Sequence, residues 1–368
     1  MKKMITVTQP CMPPLEEFIP YLERIWANKW LTNNGPLHQE LEEQLAKYLG
    51  VKYISLFSNG TLALISALQA LNITGEVITT PFSFVATTHS LWWNKIKPVF
   101  VDIEPNFFNL DPSKIEAAIT PNTTAIMPVH VYGNPCDVDV IKHIADKYNL
   151  KVIYDAAHAF GVKKNDVSIL NYGDLSVLSF HATKVFSTIE GGAIICHTPE
   201  MKHHIDNLKN FGFRGELVVE EPGINAKLNE LQAAYGLLQL KYIDGFIARR
   251  KEITYLYRTL LKDVSGISFF DDIEDVSYSY SYFPILIDES LYGKSRDELY
   301  DILKENEILS RRYFYPLISN FEPYKNLDSA SLCNLSIAND ISNRILCLPI
   351  FVELKDLDII QIVDIIKQ

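Results

Sequence analysis

Between residues 50 and 200 the chain alternates between two hydrophobic periods. Short apolar, β-branched runs fall at 76–80, 98–103, 124–130, 151–155, 175–180 and 193–196 and read as strands. Stretches with helical spacing lie between the early ones, at 61–71, 84–93, 112–119 and 138–148. That alternation predicts an α/β domain with a mostly parallel sheet. Several runs are apolar throughout rather than at every second position, as in strands covered by helices on both faces. A long helical pattern follows over 228–261, carried by Leu231, Ala234, Leu237 and Leu238, and is expected to cross into a smaller domain. Beyond it, 278–287 reads as a strand, 295–306 as a helix and 354–366 as a terminal helix, so the tail is expected to be α+β. The segment 271–282, rich in Asp, Ser and Tyr, reads as the loop leading into it. No internal repeat is present.

Length agrees with this division. At roughly 150 residues per domain, 368 residues make about two. The boundary is expected at 245/246, separating a large domain (1–245, with its N-terminal segment) from a small one (246–368). Hydrophobic residues at 48% and charged residues at 21% fit a globular protein with a large core and exclude dominant disorder. A net charge of −11 does not favour nucleic acid or an anionic membrane, though a local basic pocket for a phosphorylated ligand stays open. The uncharged stretch 77–94 holds Pro81, His89 and Asn94, and is too short and polar to span a bilayer. The first 14 residues have two lysines and no apolar run, unlike a secretory signal. Five scattered cysteines without a CxxC read as free thiols in a reducing cytoplasm.

Common fingerprints are missing: there is no GxxxxGK[ST], no GxGxxG after a strand, no HExxH and no GxSxG. His203 and His204 lack a partner set for a metal, so no metal is expected and a solvated helix face is the better reading. Three segments stand out. In Phe57-Ser58-Asn59-Gly60-Thr61 a strand-like run gives way to a helix, whose free N–H groups could receive an anion. An ordinary capped helix start reads the same way. In Val152-Ile153-Tyr154-Asp155-Ala156-Ala157-His158 an apolar run carries Asp155 to a strand end, where α/β domains build their sites. A carboxylate there, flanked by small residues, can sit close to a flat cationic ring; it could equally cap a helix, and His158 could be a core histidine. In Ser179-Phe180-His181-Ala182-Thr183-Lys184, followed by Glu190-Gly191-Gly192-Ala193, a lysine after a buried strand can form a Schiff base with a carbonyl. A surface role is the alternative for any one lysine. It weakens when an anion-binding turn, a strand-end Asp and a strand-end Lys occur in that order.

With these residues in hand, the chain resembles the DegT/DnrJ/EryC1/StrS family of sugar aminotransferases. The motifs S-N-G-T, P-F-S-F-V-A-T, P-V-H-V-Y-G, D-A-A-H-A, S-F-H-A-T-K and E-G-G-A carry the likeness, which runs from Asn33-Asn34-Gly35-Pro36 to the stretch 313–317. The resemblance implies pyridoxal 5′-phosphate (PLP) as cofactor and fold type I, the aspartate aminotransferase-like architecture. In that architecture a large domain with a mostly parallel mixed sheet is joined to a smaller C-terminal α+β domain. It also implies roles. Lys184 would bind the cofactor covalently and shuttle protons, and Asp155 would hold the ring nitrogen protonated so that the ring acts as an electron sink. Phe84 would lie on the ring face, Gly60, Thr61 and Ser179 would hold the phosphate, and Asn225 would reach it from the neighbouring subunit of a homodimer with shared active sites. His158 stands where many relatives have Gln beside the cofactor's phenolic oxygen. Relatives without the lysine are dehydratases; Lys184 is present, so amino transfer is expected, with L-glutamate as donor. The wording T-N-N-G-P-L, S-N-G-T-L-A-L and Y-D-A-A-H-A-F most resembles the branch that aminates dTDP-4-keto-6-deoxy-D-glucose at C4, for O-antigen or related surface sugars. Amination at C3 of the 3-keto isomer, and a PLP lyase on the same fold, are alternatives; a non-catalytic sensor is opposed by Lys184. Arg214, Arg311, Arg312, Tyr313 and Tyr315 are candidate substrate contacts, with a structural role an equal alternative for each.

Overall fold

The computed structural model describes residues 4–368. Helices α1 (Leu15–Asn28) and α2 (Pro36–Leu49) precede a sheet built from β1 (Tyr53–Phe57), β2 (Glu76–Thr79), β3 (Lys97–Phe100), β4 (Thr123–Met127), β5 (Lys151–Asp155), β8 (Leu175–Ser179) and β9 (Gly192–Cys196). A short hairpin, β6 (Lys163–Lys164) and β7 (Val167–Ser168), lies between β5 and β8. The sheet order is β1-β9-β8-β5-β4-β2-β3. Only β9 runs antiparallel to its neighbours among these seven strands, so the sheet is mixed but mostly parallel, as expected.

Helices cover both faces, which explains the strands that are apolar at every position. On β9, Ala193 and Ile195 face a cluster with Leu41 and Leu45 of α2 and Ala234 and Leu237 of the long helix, while Ile194 and Cys196 face the other side. There they meet Ala67 and Leu68 of α3 (Gly60–Ala70) and Ile205 and Leu208 of α6 (Pro199–Leu208). Helices α4 (Ala86–Trp93) and α5 (Val138–Tyr148) complete the crossovers.

Helix α7 (Glu230–Leu261) begins two residues later than its periodicity predicts, because Asn229 caps it in a capping box with Gln232. It runs for about 48 Å at 1.5 Å per residue and spans the 245/246 position. Its first half packs on the large sheet, while Ile253, Tyr257 and Leu261 enter a second core. A ribbon, β10 (Phe213–Arg214) with β11 (Val218–Val219), precedes α7. After it come β12 (Ile267–Phe269), β13 (Val276–Ser277) and β14 (Phe283–Ile287), then α8 (Glu289–Tyr292), α9 (Arg296–Glu305), α10 (Ser336–Arg344), β15 (Ile345–Leu348) and α11 (Asp356–Ile366). Strands β12, β14 and β15 form an antiparallel three-stranded sheet in that order. Phe82, Phe108 and Tyr132 from the large sheet's loops pack with Phe314, Leu317, Ile345 and Cys347 in the seam between the two cores.

Three expectations differ in detail. Segment 112–119 is two three-residue 3-10 turns, not an α-helix, since Pro121 disfavours helical backbone at Thr120 and the segment is too short to propagate. The strand read over 124–130 is β4, which ends at Met127 because Pro128 offers no N–H to the ladder. The strand read over 278–287 starts at Phe283: the carbonyls of Tyr280 and Ser281 are taken by the Arg250 guanidinium, at 3.4 Å each, instead of by a neighbouring strand. Helices α1, α2, α8 and α10 and strands β12 and β15 were not anticipated. Among the described residues no helix is long and apolar enough to cross a membrane.

Candidate active site

Strands β1, β5 and β8 run in the same direction, so their C-terminal ends converge on one edge of the sheet, the edge where α/β sheets hold ligands. Asp155 closes β5. Its N–H donates to the Pro128 carbonyl at 2.9 Å and its carbonyl accepts from the His130 N–H at 3.1 Å, which pins the backbone. Asp155 is 5% exposed. One oxygen accepts from the Thr87 hydroxyl at 2.7 Å and the other from the Ala157 N–H at 3.1 Å. Burial pushes this carboxyl above its ordinary range, and the Thr87 and Ala157 hydrogen bonds and the Lys184 charge only partly oppose it. The group therefore lacks a full counter-charge within the chain.

The second corner is the start of α3. Asn59 adopts extended backbone and its side chain accepts from the Leu62 N–H at 2.8 Å, which leaves the Gly60 and Thr61 N–H groups at the mouth of the helix, beyond the reach of any intrahelical carbonyl. Ser179, at the end of β8, stands against them: a Cβ on Gly60 would lie 3.1 Å from the Ser179 Cβ. Gly192 lets β9 pass beneath this turn, since a Cβ there would come within 2.7 Å of the Gly60 nitrogen. The E-G-G-A motif thus acts by absence, keeping side chains out of an anion cradle.

Lys184 follows β8 in a tight turn closed by its own N–H on the His181 carbonyl at 2.8 Å. Its half-buried amine points into the cleft, 3.3 Å from the Tyr282 hydroxyl. Burial lowers its pKa to about 8, against the pull of Asp155 and Tyr313. His158 is buried between Tyr282 (ring centroids 4.9 Å apart) and Phe314 (5.9 Å, stacked). Its burial, with Lys184 nearby, holds it neutral. The Tyr132 N–H donates to Nδ1 at 3.3 Å, so the imidazole proton sits on Nε2.

These groups line one cleft of about 700 Å³, together with Phe84, Ser83, Glu190 and Tyr313. Phe84 is 58% exposed, while Phe82, two residues earlier, is fully buried against Phe108, Tyr132 and Phe314. One aromatic of the P-F-S-F motif anchors the loop and leaves the other free over the cleft. Gly60, Thr61, Phe84, Asp155, His158, Ser179, Lys184 and Tyr313 are therefore brought together.

Other expected residues lie elsewhere in the chain. Asn225 is exposed and pairs by backbone with Asn210. Arg214 sits on the β10–β11 ribbon in an ion pair with Glu220 at 2.7 Å. Tyr315 packs under Arg296 (4.4 Å) and Arg312 (5.3 Å), and Arg312 pairs with Asp297 at 2.8 Å. Arg311 bridges by backbone to Cys347. Sequence reasoning missed Thr87, Tyr282, Tyr132 and Phe314. Thr87, Tyr132 and Phe314 had a signal, since they fall within P-F-S-F-V-A-T, P-V-H-V-Y-G and the 313–317 stretch; Tyr282 had none.

A lysine of low basicity, a buried strand-end carboxylate and a helix mouth open to an anion share one cleft, a set suited to Schiff-base chemistry on a phosphorylated ligand. The chain matches the DegT/DnrJ/EryC1/StrS aminotransferase family over residues 15–367 and belongs to it. It is 58% identical over 355 residues to the dTDP-4-amino-4,6-dideoxy-D-glucose transaminase of Shigella dysenteriae, covering 96% of each chain. It is 56% identical over 361 residues to the Escherichia coli protein of the same name, covering 98% of this chain and 97% of that one. The crystal structure of DesI in the presence of its TDP-sugar product superposes on all of this chain and 93% of DesI, with a TM-score of 0.95 at 34% identity. The α/β architecture is that of these aminotransferases.

Proposed function

We propose that this protein transfers an amino group from L-glutamate to C4 of dTDP-4-keto-6-deoxy-D-glucose, giving dTDP-4-amino-4,6-dideoxy-D-glucose. The observation that carries the substrate is the 58% identity, over 96% of both chains, to a relative of that activity. Enzyme class and cofactor rest on the family: the protein is a transaminase and PLP is its cofactor. The cleft suits that group. The α3 mouth with Ser179 is a cradle that a Cβ would fill, which fits a phosphate. Asp155, under-compensated by its own chain, fits a protonated ring nitrogen. The Nε2 proton of His158 fits a phenolate oxygen, and Phe84 fits a ring face.

When bound, PLP supplies an electron sink for the electrons left when the donor's α-proton departs. The chain does the rest. Asp155, held by Thr87 and Ala157, keeps the sink electron-poor. Lys184, its pKa lowered to about 8, keeps a substantial neutral fraction near physiological pH; it would take the proton from the donor's α-carbon and deliver it to the C4′ carbon of the bound cofactor. Proton transfer by a positioned base is worth about 10²–10⁴-fold. Phe84 and Phe314 line the cleft with apolar surface, and Tyr132 stacks behind Phe314.

The functional unit is a homodimer in the cytoplasm, in a route to O-antigen or a related surface sugar. Asn225, exposed at the end of the Pro222–Asn225 stretch, reaches the partner's phosphate site, where its amide donates a hydrogen bond. Incubation of the holoenzyme with glutamate and each keto-sugar isomer, with NMR assignment of the new C–N bond, tests the substrate: a bond at C3 of the 3-keto isomer overturns it. Mixing Lys184→Ala and Asn225→Ala subunits tests the shared site. Partial recovery of activity is expected, and a mixture no more active than its parents despite subunit exchange places Asn225 in its own subunit's site.

A further inference from the structure

The Lys184 amine has one hydrogen-bond partner among the described residues, and that partner comes from the other sheet. Tyr282 immediately precedes β14, and its hydroxyl lies 3.3 Å from the Lys184 Nζ. The ring is locked on three sides, by Tyr132 (5.5 Å), His158 (4.9 Å) and Tyr313 (5.8 Å). Its backbone is locked too. Arg250, buried on α7, donates to the carbonyls of Tyr280, Ser281 and Ile350, and the Ser281 hydroxyl donates to the His158 carbonyl at 2.9 Å. A lysine carries four rotatable bonds, so an amine freed from its substrate would otherwise sample many positions.

We propose that Tyr282 is a positioning residue for the amino transfer: its hydroxyl holds the Lys184 amine at the place from which it moves the proton. The proposal rests on the reading of Lys184 as the proton carrier. The groups facing the amine are Asp155 from β5, His158 from the turn after it, Tyr313 from the 311–316 loop and Tyr282 itself. His181 and Glu190, on its own side, pair with each other at 3.5 Å. Tyr282 is faced by Cys347 and Arg250, and burial pushes its phenol well above the ordinary value, so that it stays protonated. It therefore acts as a neutral hydroxyl, not as a counter-ion. An ammonium donating to that oxygen makes a charge-assisted bond, roughly twice as strong as the bond between two neutral groups, so the hydroxyl favours the charged amine. Asp155 adds to that preference, and burial opposes both.

Tyr282→Phe removes the hydroxyl and keeps the ring. Two readouts are expected to move. In the full chain freed of cofactor, pH-dependent acetylation of Lys184, followed by peptide mass spectrometry, gives the amine's midpoint; the variant's midpoint falls by about one pH unit. In the holoenzyme, kcat falls about 10- to 100-fold with KM for glutamate unchanged, and the α-deuterium isotope effect grows. An unchanged or raised midpoint overturns the proposal whatever the activity does, and so does an unchanged kcat. Tyr282→Met, which removes the hydroxyl with an apolar side chain, carries the same expectations if the first variant does not fold. Failure of the underlying reading is seen separately, as turnover by Lys184→Ala.

Discussion

Glu42 and Asp206 beneath the sheet's edge, and Asp155 in the cleft, are carboxylates withdrawn from water beside lysines, yet their environments act in opposite directions. Glu42 of α2 accepts from Lys202 at 2.8 Å, Lys209 at 3.5 Å, His38 at 3.2 Å and the Leu56 N–H at 3.1 Å. Asp206 of α6 shares both lysines, at 2.9 and 2.8 Å, and accepts from the Ser55 hydroxyl at 2.6 Å. Burial alone would raise Glu42, but Lys209, His38 and Lys202 outweigh it and hold the carboxyl far below its ordinary range. For Asp206 burial is likewise overcome by Lys209 and Lys202. At Asp155 burial prevails. The first cluster closes its charges within the chain and ties α2, α6 and β1 together. The second leaves a carboxylate short of positive charge and an amine short of basicity, which is how an active site is set apart from a structural ion pair.

The sharpest contrast comes from deleting one lysine. Lys184→Ala should lower turnover by more than about 10⁴-fold, since both proton transfer and covalent attachment go, while PLP still binds; near-wild-type turnover would sink the assignment. Its thermal midpoint should not fall, because a half-buried amine with a depressed pKa is a cost to folding.

Glu42→Ala should do the reverse. Breaking a buried, cross-paired carboxylate costs about 3–5 kcal/mol of stability, read by denaturant melts, with turnover per folded enzyme within about twofold. The pH sign follows. Because the folded Glu42 and Asp206 carboxyls lie below their unfolded values, their contribution is present above pH 4.5 and lost as pH falls through the folded values. Glu42→Gln should therefore lose less stability on acidification than the parent. Lys184 has the opposite sense: its cost is present below about pH 8 and is relieved between there and 10.5.

Asp155→Ala should lower activity about 10²–10³-fold and weaken cofactor retention, measured by dialysis and by single-turnover rates with glutamate. Unchanged single-turnover rates would rule out its role. The smallest effect is expected from Thr87→Val, which removes one hydrogen bond to a charged group: activity about tenfold lower, with the absorption of the bound cofactor displaced. An effect as large as that of Asp155→Ala would mean that Thr87 does more than orient the carboxylate.

The motif residues of the cleft were legible because each sits within a few positions of a strand end, where local pattern and chemistry coincide. Asp155 and Lys184 are carried by apolar runs whose length sets where they emerge. Gly60 and Gly192 are separated by more than a hundred residues in sequence, and only the pairing of β1 with β9 explains why a Cβ on Gly192 would run into the backbone of Asn59 and Gly60. Tyr282 was hidden by its own composition: a run of Tyr and Ser reads as loop or strand, and nothing local says that Arg250 withdraws two carbonyls from the ladder.

Periodicity and short motifs by themselves determined the α/β class, the long helix and the placing of Lys184, Asp155 and Gly60 at or near strand ends, since these follow from the backbone's own 2.0 and 3.6 repeats. Tertiary structure alone decided which side chains complete the cleft. Tyr282 and Phe314 line it with Tyr132 packed behind them; they come from loops of two different sheets and meet only because the Phe82–Phe314–Leu317 seam packs those sheets together. It also decided the protonation of what it gathered, because desolvation depends on what covers a group and not on its neighbours in sequence.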